Sequence, residues 1–122
     1  MREGRLPLEF KQRTKRFASS VIRLYVSLPK QHEEVKVCGK QMLRAGTSVA
    51  AHTREASRAR SDAEFVSKLG GAAQEADETQ LWLELLQDDC GIHSESISPI
   101  YQEADELIAI MTTIIRRTGG NS

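Results

Sequence analysis

Two copies of one carboxylate-rich pentapeptide stand out among the residues able to do chemistry. Gln74-Glu75-Ala76-Asp77-Glu78 and Gln102-Glu103-Ala104-Asp105-Glu106 are identical and lie 28 residues apart, a spacing of four heptads. Paired carboxylates on facing helices are how di-iron centres are built, but such a centre also needs Glu-x-x-His on two helices, and the chain contains none. His32, His52 and His93 stand apart, and Cys90 with His93 supplies only two of the four ligands of a structural zinc. There is no glycine-rich phosphate loop, no Gly-x-Ser-x-Gly elbow and no His-Glu-x-x-His. Neither metal, cofactor nor enzymatic activity is therefore expected. The simpler role for Glu75, Asp77 and Glu78 is pairing with Arg44 or Arg54 across a helix seam, where a partly buried ion pair fixes register more than it adds stability.

The cations form the second constellation. Lys36, Lys40 and Arg44 follow at i, i+4 and i+8, with Arg54 and Arg58 continuing the same side, and Arg13, Lys15 and Arg16 cluster upstream. The chain as a whole is neutral, with 17 Lys and Arg against 17 Asp and Glu. That balance hides a division: residues 1 to 60 hold 14 basic and 5 acidic residues, whereas residues 61 to 122 hold 3 and 12. Two explanations fit. The basic and acidic halves neutralise each other within or between subunits, or a basic face stays open to a polyanion.

The elements that must position these groups are helical. Phe17, Val21, Leu24, Tyr25 and Leu28 form one apolar stripe, ending before Pro29. Val35, Cys38, Met42, Ala45, Val49, His52 and Ala56 step by alternating threes and fours, a heptad seam. Phe65, Leu69, Ala72, Ala76, Thr79, Leu83 and Leu86 repeat it behind a capping box of Ser61 and Glu64. A fourth stripe runs from Ile97 through Ile100, Ala104, Leu107, Ile108 and Met111 to Ile114 and Ile115, with Pro99 suited to a first helical turn. Breaks at 29–31, 59–60 and 91–94 are short enough to force antiparallel neighbours. The expectation is an all-α, antiparallel up-and-down four-helix bundle, one domain over residues 1–122, with helices near 8–28, 32–58, 61–90 and 95–118. Gly39 and Gly46 inside the second helix point to close backbone approach by a neighbour, since each glycine costs about 1 kcal/mol relative to alanine.

Ile22 and Val26 on the first helix, and Leu81 and Leu85 on the third, lie outside the core stripes. Apolar pairs of this kind mark subunit contact, so a homo-oligomer is expected. No apolar run approaches the roughly 20 residues that span a bilayer, and the N-terminus leads into no signal-peptide segment. A cytoplasmic protein with Cys38 and Cys90 reduced is the corresponding expectation.

Several blocks also carry a family resemblance. Arg13-Thr14-Lys15-Arg16-Phe17-Ala18, the stretch from Gly39 to Ala56, Ala63-Glu64-Phe65 with Lys68-Leu69-Gly70, Glu75-Ala76-Asp77-Glu78-Thr79 and Trp82-Leu83-Glu84-Leu85-Leu86 resemble the bacterial four helix bundle proteins, also called 23S rRNA intervening-sequence proteins. The resemblance covers nearly the whole chain. It implies an up-and-down bundle assembled as a homopentameric ring, and relatedness to the accessory variability protein of diversity-generating retroelements, a basic pentamer that binds nucleic acid and a reverse transcriptase. His52-Thr53 stands where an Asn-Tyr pair commonly precedes the Arg-Glu-Ala motif. Two functions follow as alternatives. One is a non-catalytic oligomeric scaffold that binds RNA or a ribonucleoprotein through Lys40, Arg44, Arg54 and Arg58, with Arg13, Lys15 and Arg16 adding to the field. The other is a protein-only interaction module whose cations are consumed by the acidic half.

Overall fold

The computed structural model of the chain describes residues 4–120. Four helices follow one another: α1 (Leu8–Ser27), α2 (Glu33–Ser57), α3 (Asp62–Asp88) and α4 (Ser94–Ile115), with a wider π-type turn at Arg116–Gly120. Each helix packs on its neighbours in sequence and α4 closes against α1, while the diagonal pairs keep apart. That is the up-and-down bundle the short connections require, and no strand occurs among the described residues.

The heptad seams form its core. Every stripe residue of α3 is buried, as are Phe17, Val21 and Leu24 of α1, Leu28 just past its end, and Val35, Met42, Ala45, Val49 and Ala56 of α2. Thr14, Thr53 and Thr79 are also fully buried, and each hydroxyl donates to a backbone carbonyl three or four residues back, so none is left unsatisfied. Gly39 and Gly46 sit where α1 comes closest: a Cβ on Gly39 would meet the Leu28 and Tyr25 side chains, and one on Gly46 would meet Val21.

Helix ends follow the local chemistry with small differences. The Ser61 hydroxyl accepts from the Glu64 amide at 3.1 Å, but the Glu64 carboxylate reaches back to the amide of Arg60 (2.9 Å), one residue earlier than in a standard capping box. Helix α4 starts at Ser94, so Pro99 lies in its second turn rather than its first. Both Glu95 and Pro99 are exposed, which lets water replace the donor that Pro99 lacks. Ahead of α1, Leu6 is buried against the end of the bundle. The Arg5 amide donates to the Ser57 carbonyl (2.8 Å), strapping the N-terminal segment across the α2–α3 turn.

Candidate nucleic-acid interface

Helix α2 spreads its cations over two surfaces instead of one stripe. At about 100° and 1.5 Å per residue, Arg44 and Arg54 point about 80° apart and are separated by about 15 Å along the axis. Arg44 turns toward α3, where its guanidinium meets Glu78 at 3.2 Å. Arg54 and Arg58 turn toward α1 and line a cleft of about 880 Å³ between the start of α1 and the end of α2. Lys11 and Lys15, one helical turn apart on α1, face them, and Arg5 forms one wall. No acidic side chain lines the cleft among the described residues.

Arg5 is held in place by three contacts. Its Nη1 pairs with Asp62 (2.7 Å), its Nε donates to the Ala59 carbonyl (2.9 Å), and its guanidinium lies over the Phe65 ring. Lys15, Arg54 and Arg58 are exposed and make no ion pair among the described residues. Their charges are thus available to an anion entering the cleft. Lys40 and Arg16 are also exposed and make no ion pair among the described residues, but lie outside it. Arg5 and Lys11 were not singled out in the sequence; the Lys11 to Lys15 spacing on the α1 surface was the only signal.

Arg13 is a correction. Instead of facing a ligand, its Nε and Nη2 meet the two carboxylate oxygens of Glu103 at 2.7 and 2.9 Å, and Nη2 also meets Glu106 at 2.8 Å. These bonds raise the guanidinium pKa further above its ordinary value. The twin pentapeptides therefore do equivalent work on opposite seams: the copy on α3 meets Arg44 of α2, and the copy on α4 meets Arg13 of α1. Of the expected ion-pair residues on α3, only Glu78 reaches an arginine. Asp77 is exposed and unpaired among the described residues, and Arg54, two residues and about 200° around α2 from the His52 that meets Glu75, turns to the α1 side instead.

Glu75 has a different environment. Its Oε2 lies 3.9 Å from His52 Nε2, while its Oε1 is buried without a hydrogen-bond partner among the described residues. His52 Nδ1 is 2.9 Å from Glu55, so the ring sits half-buried at the α2–α3 seam. Burial, followed by a hydrogen bond and repulsion from Glu78, pushes the Glu75 carboxyl pKa up against the opposing pull of Arg44 and His52. A carboxyl that holds its proton more tightly when folded contributes stability below its unfolded pKa, and loses that contribution as pH rises through the folded one. Glu75→Gln, whose amide can donate to Glu78, should raise the melting temperature at pH 7 by about 4 °C, equivalent to about 1 kcal/mol. The gain should close as pH falls toward about 4. Thermal melts at both pH values read the difference.

Among the apolar residues outside the core, Ile22, Val26 and Leu81 are exposed, Val26 to 71%. Leu85, expected to be exposed, is half-buried. Val37 is a further exposed residue at the same end of the bundle. Among the described residues, no group of three or more His, Cys, Asp or Glu is arranged to hold a metal. No helix among them is long and apolar enough to cross a membrane.

Fold and charge together define an up-and-down four-helix bundle protein with basic residues gathered on α1–α2 and acidic ones on α3–α4. A family model described as 23S rRNA-intervening sequence protein matches residues 7–113, and the chain belongs to that family. It is also similar to a crystal structure of a protein of unknown function from the S23 ribosomal protein family of Bacteroides thetaiotaomicron. The two share 37% identity at a TM-score of 0.80, over 87% of this chain and 97% of that one. No curated protein matches the chain.

Proposed function

We propose that this chain is a non-catalytic, homo-oligomeric bundle that binds RNA or a ribonucleoprotein through the α1–α2 cleft. One observation carries the proposal: among the described residues, Lys15, Arg54 and Arg58 converge on a cleft with no acidic lining and none of them pairs with a carboxylate. Phosphates are the natural complement of such a group, because each one neutralised releases condensed counterions. Membership of the 23S rRNA-intervening sequence family is in keeping with an RNA partner.

Binding to a structured RNA should weaken steeply with salt. Lys15→Gln/Arg54→Gln/Arg58→Gln should flatten the slope of log affinity against log salt by about 2 to 3 and lower affinity about 10-fold at moderate salt. Thermal melts of the variant should match wild type, since none of the three side chains is buried or ion-paired among the described residues. Equal binding by both proteins would instead favour a protein-only interaction module.

Self-association is the second component. A ring contact at the end of the bundle where α1 and α3 finish, opposite the cleft, leaves the α1–α2 cations open to RNA. Exposed Val26 and Leu81 supply apolar contact there. Leu81→Asp should dissociate the assembly in light scattering without loss of helical circular dichroism. A wild-type monomer at micromolar concentration would refute self-association.

A further inference from the structure

We infer that the α1–α2 cleft takes the phosphate backbone of double-helical RNA in preference to an open single strand, an inference that rests on RNA binding at this cleft. Lys15, Arg54 and Arg58, without an ion pair among the described residues, define the site, but the absence of another group from its lining defines the ligand. Proteins that hold single strands combine a basic groove with aromatic faces on which successive bases stack, each stacked base contributing about 1–3 kcal/mol. Here the cleft is lined by aliphatic, polar and cationic side chains with no aromatic ring.

The aromatic side chains of the described chain are committed elsewhere. Phe10, Phe17 and Phe65 are buried in the core. Tyr25 lies at the far end of α1, under the Lys30 ammonium at 4.7 Å. The Tyr101 hydroxyl donates to Glu84 at 2.8 Å, and Trp82 approaches Glu78 at 3.5 Å, both on the acidic side of the bundle. None can rotate into the cleft from those positions. An unpaired base entering beside Lys15 would therefore find neither a stacking plane nor a matched set of edge contacts.

A duplex needs neither. Its bases are already stacked and paired, and it presents phosphates and 2′-hydroxyls on a regular surface that proteins read largely by shape. Lys11 and Lys15 on one wall, and Arg54 and Arg58 on the other, are each one helical turn apart, about 6 Å along their axes. Two parallel rows of cations are thus placed to follow a rigid, evenly charged backbone. Gln12 adds an exposed polar side chain to the lining. Rigid helices carry both rows, so a ligand that is already ordered loses little freedom on docking, whereas an open strand must be ordered along the cleft without stacking in return.

Fluorescence anisotropy on full-length protein tests this with two probes: a 20-base-pair RNA duplex of mixed sequence and a 20-nucleotide uridine homopolymer. The duplex should bind at least about 10-fold more tightly at moderate salt, and changing its sequence should leave affinity within about twofold. Lys15→Gln/Arg54→Gln/Arg58→Gln should abolish the preference, with circular dichroism and melts confirming that the bundle remains intact. Equal or tighter binding of the homopolymer, with the same loss in the variant, would overturn the duplex preference and leave RNA binding standing. Failure of both probes to bind wild type at low salt would overturn both.

Discussion

Gly46→Ala is expected to destabilise the bundle by about 2 kcal/mol, although alanine is the better helix former by about 1 kcal/mol. The reason is steric. A Cβ at Gly46 would lie 2.7 and 2.8 Å from the two methyl carbons of Val21 and 3.0 Å from its Cβ. Val21 is completely buried, and a valine in a helix is held largely to one rotamer, so the side chain cannot swing away. Helices α1 and α2 must part instead, opening the core around Phe17 and Met42. Two other glycines calibrate the effect. At Gly39 the nearest atom is the Leu28 Cδ1 at 2.8 Å, the far end of a flexible side chain, so Gly39→Ala should be close to neutral. At Gly70 nothing lies within 4 Å, and Gly70→Ala should gain about 1 kcal/mol from helix propensity alone. Urea denaturation midpoints should rank Gly70→Ala above wild type, Gly39→Ala near it and Gly46→Ala well below. A Gly46→Ala protein as stable as wild type would show that α1 and α2 do not pack at this distance.

The glycines also show what kind of information the sequence carries plainly. A residue that costs helix stability, placed twice on the apolar side of one helix, required a close neighbour, and the structure supplies it at both positions. Periodicity revealed the core equally well, because burial of a heptad seam depends on spacing within one helix. Long-range charge pairing was less legible. Arg13, Lys15 and Arg16 are adjacent in the sequence, yet one turn of helix sends Arg13 to α4, Lys15 into the cleft and Arg16 to open solvent. Likewise, Arg44 and Arg54 read as one stripe in the sequence, but ten residues of helix separate their directions by about 80°. The cleft itself was invisible, since it arises where two helix ends and the Arg5–Leu6 strap meet.

Arg13→Ala is expected to lower stability by about 2 kcal/mol and leave RNA affinity unchanged, the reverse of the behaviour expected at Lys15. The seam between α1 and α4 is the least intimate of the four, so the fork of hydrogen bonds from Arg13 to Glu103 and Glu106 ties helices that few apolar contacts join. Arg13 and Glu103 each keep only about 30% of their side-chain surface exposed, which limits screening by water, whereas Glu106 at 65% adds less. Removing the guanidinium also leaves the half-buried Glu103 carboxylate without its donor and close to Glu106. Arg13→Lys should recover only part of the loss, because an ammonium keeps the charge but cannot bond both oxygens of Glu103 in one plane. A double-mutant cycle with Glu103→Gln should return a coupling energy of about 1–2 kcal/mol, since the two groups touch directly. The expected pattern is therefore a lower urea midpoint, a coupling lost with either partner, and an unaltered salt dependence of RNA binding. If Arg13→Ala instead flattened that salt dependence by about one unit while leaving the midpoint in place, Arg13 would be a phosphate contact, and the α1–α4 seam would have to be held by its core residues alone.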